Sequence, residues 1–306
     1  MSLLINIPGR PLDKLLTRLT QDIPENEIEV WPNVKKPDDV TFALVWKHQH
    51  GSLVEYKNLK AISSFGAGVD SIITDPDLPD VPIARIVDPS LAINMAHYVL
   101  TMVQQHKLRL NQFAHQQQQA IWKSKSARKG NKVGILGLGQ LGSKTAEVLT
   151  QAGFEVCGWS RSLKQLNKVK CYRGQDGFNA VISQSDYLVC LLPLTDETTN
   201  ILNASVFSQM PNHAVLINVA RGEHLVDDEL LLALEQQQLD FAYLDVFRQE
   251  PLPKQHPFWQ SDKIQITPHI SAVTNVETAV EQIVENYLSQ RQSKPLKHVI
   301  DPNVNY

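Results

Sequence analysis

Residues Lys132 to Leu136 have the pattern of a short buried strand. They run straight into Gly137-Leu138-Gly139-Gln140-Leu141-Gly142, which opens the helix-forming stretch Ser143 to Thr150. No other feature restricts the fold as much. Gly137 permits a tight turn, Gly139 lets the backbone approach a pyrophosphate, and Gly142 lets the helix pack closely on the strand. The phosphates then sit at a helix N-terminus, where exposed N–H groups and the helix dipole both favour negative charge. A glycine triplet alone is a weak signal, and the strand before it and helix after it make it a dinucleotide-binding turn.

The same alternation of short apolar runs and longer amphipathic ones extends over the chain. Leu3 to Ile7, Phe42 to Val45, Ala61 to Ser63 and Ile83 to Ile86 are strand-like in the first half. Val133 to Leu136, Glu155 to Trp159, Tyr187 to Leu191, Val215 to Asn218, Phe241 to Leu244 and Ile264 to Ile266 are six candidate strands in the second. That rhythm predicts parallel α/β architecture, and 306 residues exceed what one core usually holds. The stretch from about Asn94 to Ser126 reads as helix, with Gln116 to Gln119 on a solvated face. A final helix from about Val273 to Leu288 precedes a polar tail with Pro295 and Pro302.

A formal charge of −3 provides no basic face for nucleic acid, so a small molecule is the expected partner. No apolar stretch approaches the ~20 residues of a membrane helix, and Met1 to Arg10 reads as a first strand, not as a signal peptide. Cys157, Cys171 and Cys190 lack metal-ligand spacing and fit a reducing compartment, which predicts a cytoplasmic protein. The histidines, His97 and His224 among them, form no metal set, so no metal is expected.

The strand Glu155 to Trp159 ends where an adenosine ribose would lie. A site for NAD usually carries Asp or Glu there; this chain has Ser160-Arg161-Ser162, with Lys164 beyond. Two hydroxyls and a guanidinium suit a 2′-phosphate that a carboxylate would repel. NADPH is therefore expected over NADH.

Three residues follow predicted strands of the second half: Arg221 in Asn218-Val219-Ala220-Arg221-Gly222, Glu250 in Asp245-Val246-Phe247-Arg248-Gln249-Glu250-Pro251, and His269 in Thr267-Pro268-His269-Ile270. Ligands of open parallel sheets bind outside the carboxyl ends of strands. With Gly66-Ala67-Gly68-Val69-Asp70 and the glycine turn, these motifs resemble the D-isomer-specific 2-hydroxyacid dehydrogenase family over most of the chain. Through Trp159-Ser160-Arg161-Ser162 and Leu244 to His269 the sequence is most similar to its NADPH-dependent glyoxylate/hydroxypyruvate reductases.

The resemblance implies reduction of a small 2-oxo acid. His269 is the expected proton donor, since an imidazolium near neutral pH can give a proton and take it back. Glu250 would hold that ring and favour its charged form. Arg221 would bind the substrate carboxylate and polarise the carbonyl, and backbone N–H groups around Ala67 and Gly68 would complete the carboxylate site. By resemblance, Asp245 meets the nicotinamide carboxamide, and Pro193, Val219 and Ala220 join Gly137, Gly139, Gln140, Leu141 and Gly142 in holding the cofactor. Trp46 either narrows the pocket or is core.

The resemblance also implies a flavodoxin-like substrate domain of residues 1–98 and 281–306 and a Rossmann dinucleotide-binding domain of residues 99–280, both doubly wound, with a cleft between them. It further implies a homodimer joined around residues 97 to 125. The chain departs from the family at His97, where many relatives carry Glu, and at Ile270-Ser271-Ala272, where small residues are common. The alternatives are an NAD-dependent dehydrogenase of the same family acting on a larger 2-hydroxy acid, and a dinucleotide-sensing, corepressor-like binding protein.

Overall fold

In the computed structural model, which describes residues 1 to 301, the chain divides into two units. One is Met1–Pro89 with the described residues from Thr274 onward; the other is Ser90–Val273. Pro302 and the rest of the tail lie outside the described residues.

The expected boundaries, after residues 98 and 280, fall inside two continuous helices, Pro89–Lys107 and Val276–Arg291. Packing explains why the divisions come earlier. Met95, Val99, Met102 and Val103 of the first helix are buried in the core of the second unit. Ala279, Val280, Ile283 and Tyr287 of the last helix are buried in that of the first unit. Each helix has its apolar stripe in one core, so each belongs almost whole to one unit.

The first unit holds a five-stranded sheet of β1 (Ser2–Asn6), β2 (Ile28–Val30), β3 (Val40–Val45), β4 (Ala61–Ser64) and β5 (Ile83–Ala84). Its order is β2-β1-β3-β4-β5 and its pairings are parallel, the flavodoxin-like order. Both faces are covered. Leu3, Ile5, Phe42 and Leu44 face the helix Val276–Arg291, whereas Leu4, Ala43, Val45 and Ile62 face Leu53, Tyr56 and Ile72. Alternate residues of each strand thus enter opposite cores. Full burial of each large side chain contributes roughly 2 kcal/mol.

The second unit carries β6 (Lys132–Leu136), β7 (Glu155–Trp159), β8 (Val169–Tyr172), β9 (Tyr187–Cys190), β10 (Val215–Asn218), β11 (Phe241–Leu244) and β12 (Ile264–Ile266). They form one parallel sheet ordered β12-β11-β10-β9-β6-β7-β8. The order reverses between β6 and β9. Such a switch point opens a crevice beyond the strand ends.

Two strands, β2 and β8, are additional to those read from sequence, and both lie at sheet edges. Lys170 of β8 is exposed and its neighbours are half-buried, so the strand lacks an apolar run. The helix expected to Ser126 also breaks early. Arg109 takes a left-handed conformation (φ 61°), a second helix, Leu110–Gln118, follows, and residues 121–131 are irregular. That segment returns to the break: Arg128 N–H donates to the Lys107 carbonyl (2.8 Å), and Arg109 Nε to the Ser126 carbonyl (2.8 Å). The return segment thereby supplies a donor to the first helix's end, where carbonyls lack intrahelical partners.

Candidate active site

At the carboxyl end of β6, Gly137 has φ +101°, a conformation that suits glycine. A Cβ on Gly142 would lie 1.8 Å from the Gly137 carbonyl oxygen, so the helix Gln140–Gln151 approaches the strand only because Gly142 has none. Gly139 differs: a Cβ there would meet nothing within 4 Å. The space above its backbone, at the N-terminus of that helix, is open, and Gly139 and Gln140 are exposed while Leu141 is half-buried. A pyrophosphate fits this arrangement.

Beyond β7, Ser160 is buried and its hydroxyl donates to the Ser162 carbonyl (2.8 Å). The turn so made leaves Arg161 and Ser162 exposed.

The chemistry-bearing residues come from three neighbouring strands. Asn218, at the end of β10, is fully buried; its amide oxygen accepts from Ala220 N–H (3.2 Å) and its amide nitrogen donates to the Arg221 carbonyl (2.9 Å). This closes a turn, with Val219 and Ala220 buried and Arg221 half-buried. Arg221 N–H donates to His224 Nδ1 (3.2 Å), and His224 Nε2–H to the Pro193 carbonyl (3.2 Å). The imidazole of His224, fully buried, thus ties the Arg221 turn to the loop after β9.

His269 follows β12. Its Nδ1–H donates to Glu250 Oε2 (2.8 Å), and Glu250 Oε1 accepts from Phe247 N–H (3.1 Å). The ring is part-exposed, and its tautomer leaves Nε2 as the outward nitrogen. His269 has φ 55°, an uncommon conformation for a residue with a Cβ.

Asp245 holds that conformation. Its carboxylate accepts from Thr267 Oγ1 (2.6 Å), Ile270 N–H (2.8 Å) and Ser271 N–H (2.8 Å), and its carbonyl from His269 N–H (2.9 Å). Tyr98 OH in turn donates to Thr267 Oγ1 (2.6 Å). Burial first, with the charge of Asp245 adding, pushes the Tyr98 phenol up to about 12, so it remains a donor at neutral pH. Asp245 is expected from resemblance to meet a nicotinamide carboxamide. Here it is wholly buried, and its carboxylate accepts from the 267–271 loop that carries His269.

Of the departures, His97 is exposed on the helix that supplies Tyr98, away from the buried Met95 and Ala96. The N–H groups of Ile270 and Ser271 are taken by Asp245 and are not offered to a substrate.

In the first unit, Ser64 Oγ donates to the Gly68 carbonyl (2.7 Å) and shapes the loop Gly66–Gly68 after β4. Among the described residues no protein acceptor takes the N–H of Ala67 or Gly68. The Trp46 ring rests against Gly66, where a Cβ would come within 2.3 Å of it. Trp46 is half-buried beside the first core.

Sequence reading passes over Asn218, Tyr98, Thr267 and His224. Asn218 has a visible signal, an amide at the last position of a buried strand just before a turn. The others act through partners distant in sequence. Arg248 is a further case: its guanidinium donates to the Leu225 carbonyl through Nε (2.9 Å) and to Asn200, stapling neighbouring loops. Among the described residues no three His, Cys, Asp or Glu side chains gather as metal ligands.

Residues 100–271 match the family described as D-isomer specific 2-hydroxyacid dehydrogenase, NAD binding domain. Over all of both chains, the sequence is 38% identical to glyoxylate/hydroxypyruvate reductase A of Serratia proteamaculans. Among solved structures, a D-isomer specific 2-hydroxyacid dehydrogenase from Xanthobacter autotrophicus Py2 in complex with NADPH and MES superposes with a TM-score of 0.93, at 35% identity, covering 100% of this chain and 99% of that one. An NADPH-dependent glyoxylate/hydroxypyruvate reductase from Sinorhizobium meliloti, in complex with NADP and sulfate, superposes equally well (0.93) at 31% identity over all of both chains.

Proposed function

Because the chain belongs to the D-isomer specific 2-hydroxyacid dehydrogenase family, we propose that it reduces a small 2-oxo acid, glyoxylate or hydroxypyruvate, with NADPH. The product is the 2-hydroxy acid, D in configuration where it is chiral. The observation that carries this reading is the His269–Glu250 pair (2.8 Å) on strand ends next to the one bearing Arg221, in the same unit as the glycine turn.

Gly137, Gly139, Gln140, Leu141 and Gly142 would hold the pyrophosphate, and Arg161 and Ser162 the 2′-phosphate, with Ser160, expected as a direct donor, instead closing the turn that presents them. Pro193, Val219 and Ala220 would line the nicotinamide side, where Asp245 acts through its loop. When bound, NADPH supplies hydride to the carbonyl carbon. Arg221 would grip the substrate carboxylate and polarise the carbonyl, and in the other unit the N–H groups of Ala67 and Gly68 are donors of the kind a carboxylate takes. His269 Nε2–H gives the proton to the carbonyl oxygen, and Glu250 stabilises the imidazolium that does so. The test is loss of nicotinamide absorbance when glyoxylate or hydroxypyruvate is offered with NADPH. No turnover with any 2-oxo acid, despite NADPH binding, would sink the reading and favour a sensing protein.

Arg161→Ala should raise KM for NADPH about 10- to 100-fold, the loss of a charge-assisted contact to phosphate, and leave KM for NADH nearly unchanged. Equal effects on both cofactors would place Arg161 elsewhere.

A cytoplasmic homodimer completes the proposal. The cysteines are free thiols, and burial pushes Cys157 up to about 11 and Cys190 to about 12, as suits inert buried thiols in a reducing compartment. No described helix is long and apolar enough to cross a membrane. Leu108, Leu110, Ile121 and Trp122 are exposed along one segment, Trp122 wholly so, and a second copy would cover them. Sedimentation should give twice the chain mass, and Leu110→Glu with Trp122→Ala should shift it toward the monomer. A wild-type monomer at micromolar concentration would refute the dimer.

A further inference from the structure

We infer that Arg10 selects 2-oxo acids carrying a second carboxylate at the end remote from the keto group. The inference rests on the reductase reading and specifies its substrate class.

Strands β1, β3 and β4 are neighbours in the sheet of the first unit. The loops leaving their carboxyl ends carry Arg10, Trp46 and Gly66–Gly68 respectively. A Cβ on Gly66 would lie 2.3 Å from Trp46 Cζ3 and 2.7 Å from Cη2, so the indole seats against bare backbone and is fixed there. The guanidinium carbon of Arg10 stands 5.3 Å from the Trp46 ring centroid, within cation–π range.

The other arginines of this unit show what is unusual about Arg10. Arg18 pairs with Asp22 (2.5 Å) and Glu277 (3.2 Å), and Arg291 with Glu27 (2.5 Å). Arg10 has neither an ion pair nor a hydrogen bond among the described residues, and its side chain is held by an aromatic face alone. An aromatic contact orients a guanidinium while leaving its N–H fork available to an anion.

The Gly66–Gly68 loop already offers a first carboxylate the N–H groups of Ala67 and Gly68. A two-carbon acid has nothing more for Arg10 to hold. A dicarboxylic 2-oxo acid has a second planar anion, which a guanidinium fork matches in two parallel hydrogen bonds. Arg10 is exposed, so solvent weakens the attraction and about a tenfold effect is the scale to look for.

The experiment compares the full-length wild type, Arg10→Gln and Arg10→Lys in NADPH oxidation with glyoxylate and with oxaloacetate, the latter the probe for a remote carboxylate. Arg10→Gln should raise KM for oxaloacetate about tenfold and leave kcat and KM for glyoxylate within about twofold. Arg10→Lys should recover part of the loss, since it restores the charge without the fork. Equal losses on both acids would reduce Arg10 to a support for Trp46, and no change on either would remove it from the site; both overturn the inference. So would a wild type that turns over glyoxylate yet neither reduces oxaloacetate nor is competitively inhibited by it. A wild type inactive with every acid would instead remove the reductase reading itself, and this inference with it.

Discussion

Alanine in place of His269 is expected to lower kcat for 2-oxo acid reduction by about 10³-fold, roughly 4 kcal/mol of barrier, while NADPH binds as before. The geometry sets this expectation. Nδ1–H is committed to Glu250 at 2.8 Å, so the ring cannot rotate without breaking a charge-assisted bond, and Nε2 stays outward. The backbone beneath it is held at φ 55° by the Asp245 carboxylate and carbonyl, which together take bonds from Thr267, His269, Ile270 and Ser271. The imidazole is thus placed by contacts made before substrate arrives, and its removal would delete the proposed proton donor without disturbing its support. Glu250→Gln gives the complementary measurement. The amide can still accept from Nδ1–H but no longer neutralises an imidazolium, so kcat should fall less, by about 10- to 100-fold, with KM little altered. If His269→Ala kept more than a tenth of wild-type kcat, solvent or another group would be the acid.

The parts of this site visible in the sequence share one property: their requirements are local. Gly137, Gly139 and Gly142 are recognisable because a strand, a turn and a helix follow one another within 20 residues, and each glycine answers a need of its own neighbours. Arg221, Glu250 and His269 are recognisable because each follows a strand read from the sequence, in a short motif that carries the family resemblance. Strands β2 and β8 escape that reading because each is short and interrupted by a charge, Glu29 or Lys170, at a sheet edge where no apolar run is needed. The break at Arg109 escapes because it depends on a return segment about 20 residues on. His224 reads as one more histidine until its partners, both backbone groups, are seen. Arg10 carries no sequence signal of its own, and only the convergence of three loops at adjacent strand ends sets it beside Trp46 and the Gly66 loop. Contacts between side chains and distant backbone leave no periodic trace for a sequence to display.

Arg221→Gln should reduce kcat/KM by about 10³- to 10⁴-fold, or roughly 4 to 5.5 kcal/mol. The side chain is half-buried, and its turn is closed by Asn218 on one side and by His224 on the other. A guanidinium so mounted loses little freedom when it meets a planar carboxylate. In the proposed reaction this contact would exist in the ground state and strengthen as charge develops on the carbonyl oxygen, so KM should rise and kcat should fall together. Arg221→Lys should recover little, because a point charge at this position cannot bridge two oxygens. A purely structural role for Arg221 would also lower activity, and the substrate itself separates the two. Wild type should prefer glyoxylate to its methyl ester, which is uncharged and lacks the second anionic oxygen. In Arg221→Gln that preference should collapse toward unity, because the group that reads the charge is gone. If the variant kept the wild-type ratio at a lower overall rate, Arg221 would be supporting the β10 turn and some other residue would be holding the acid.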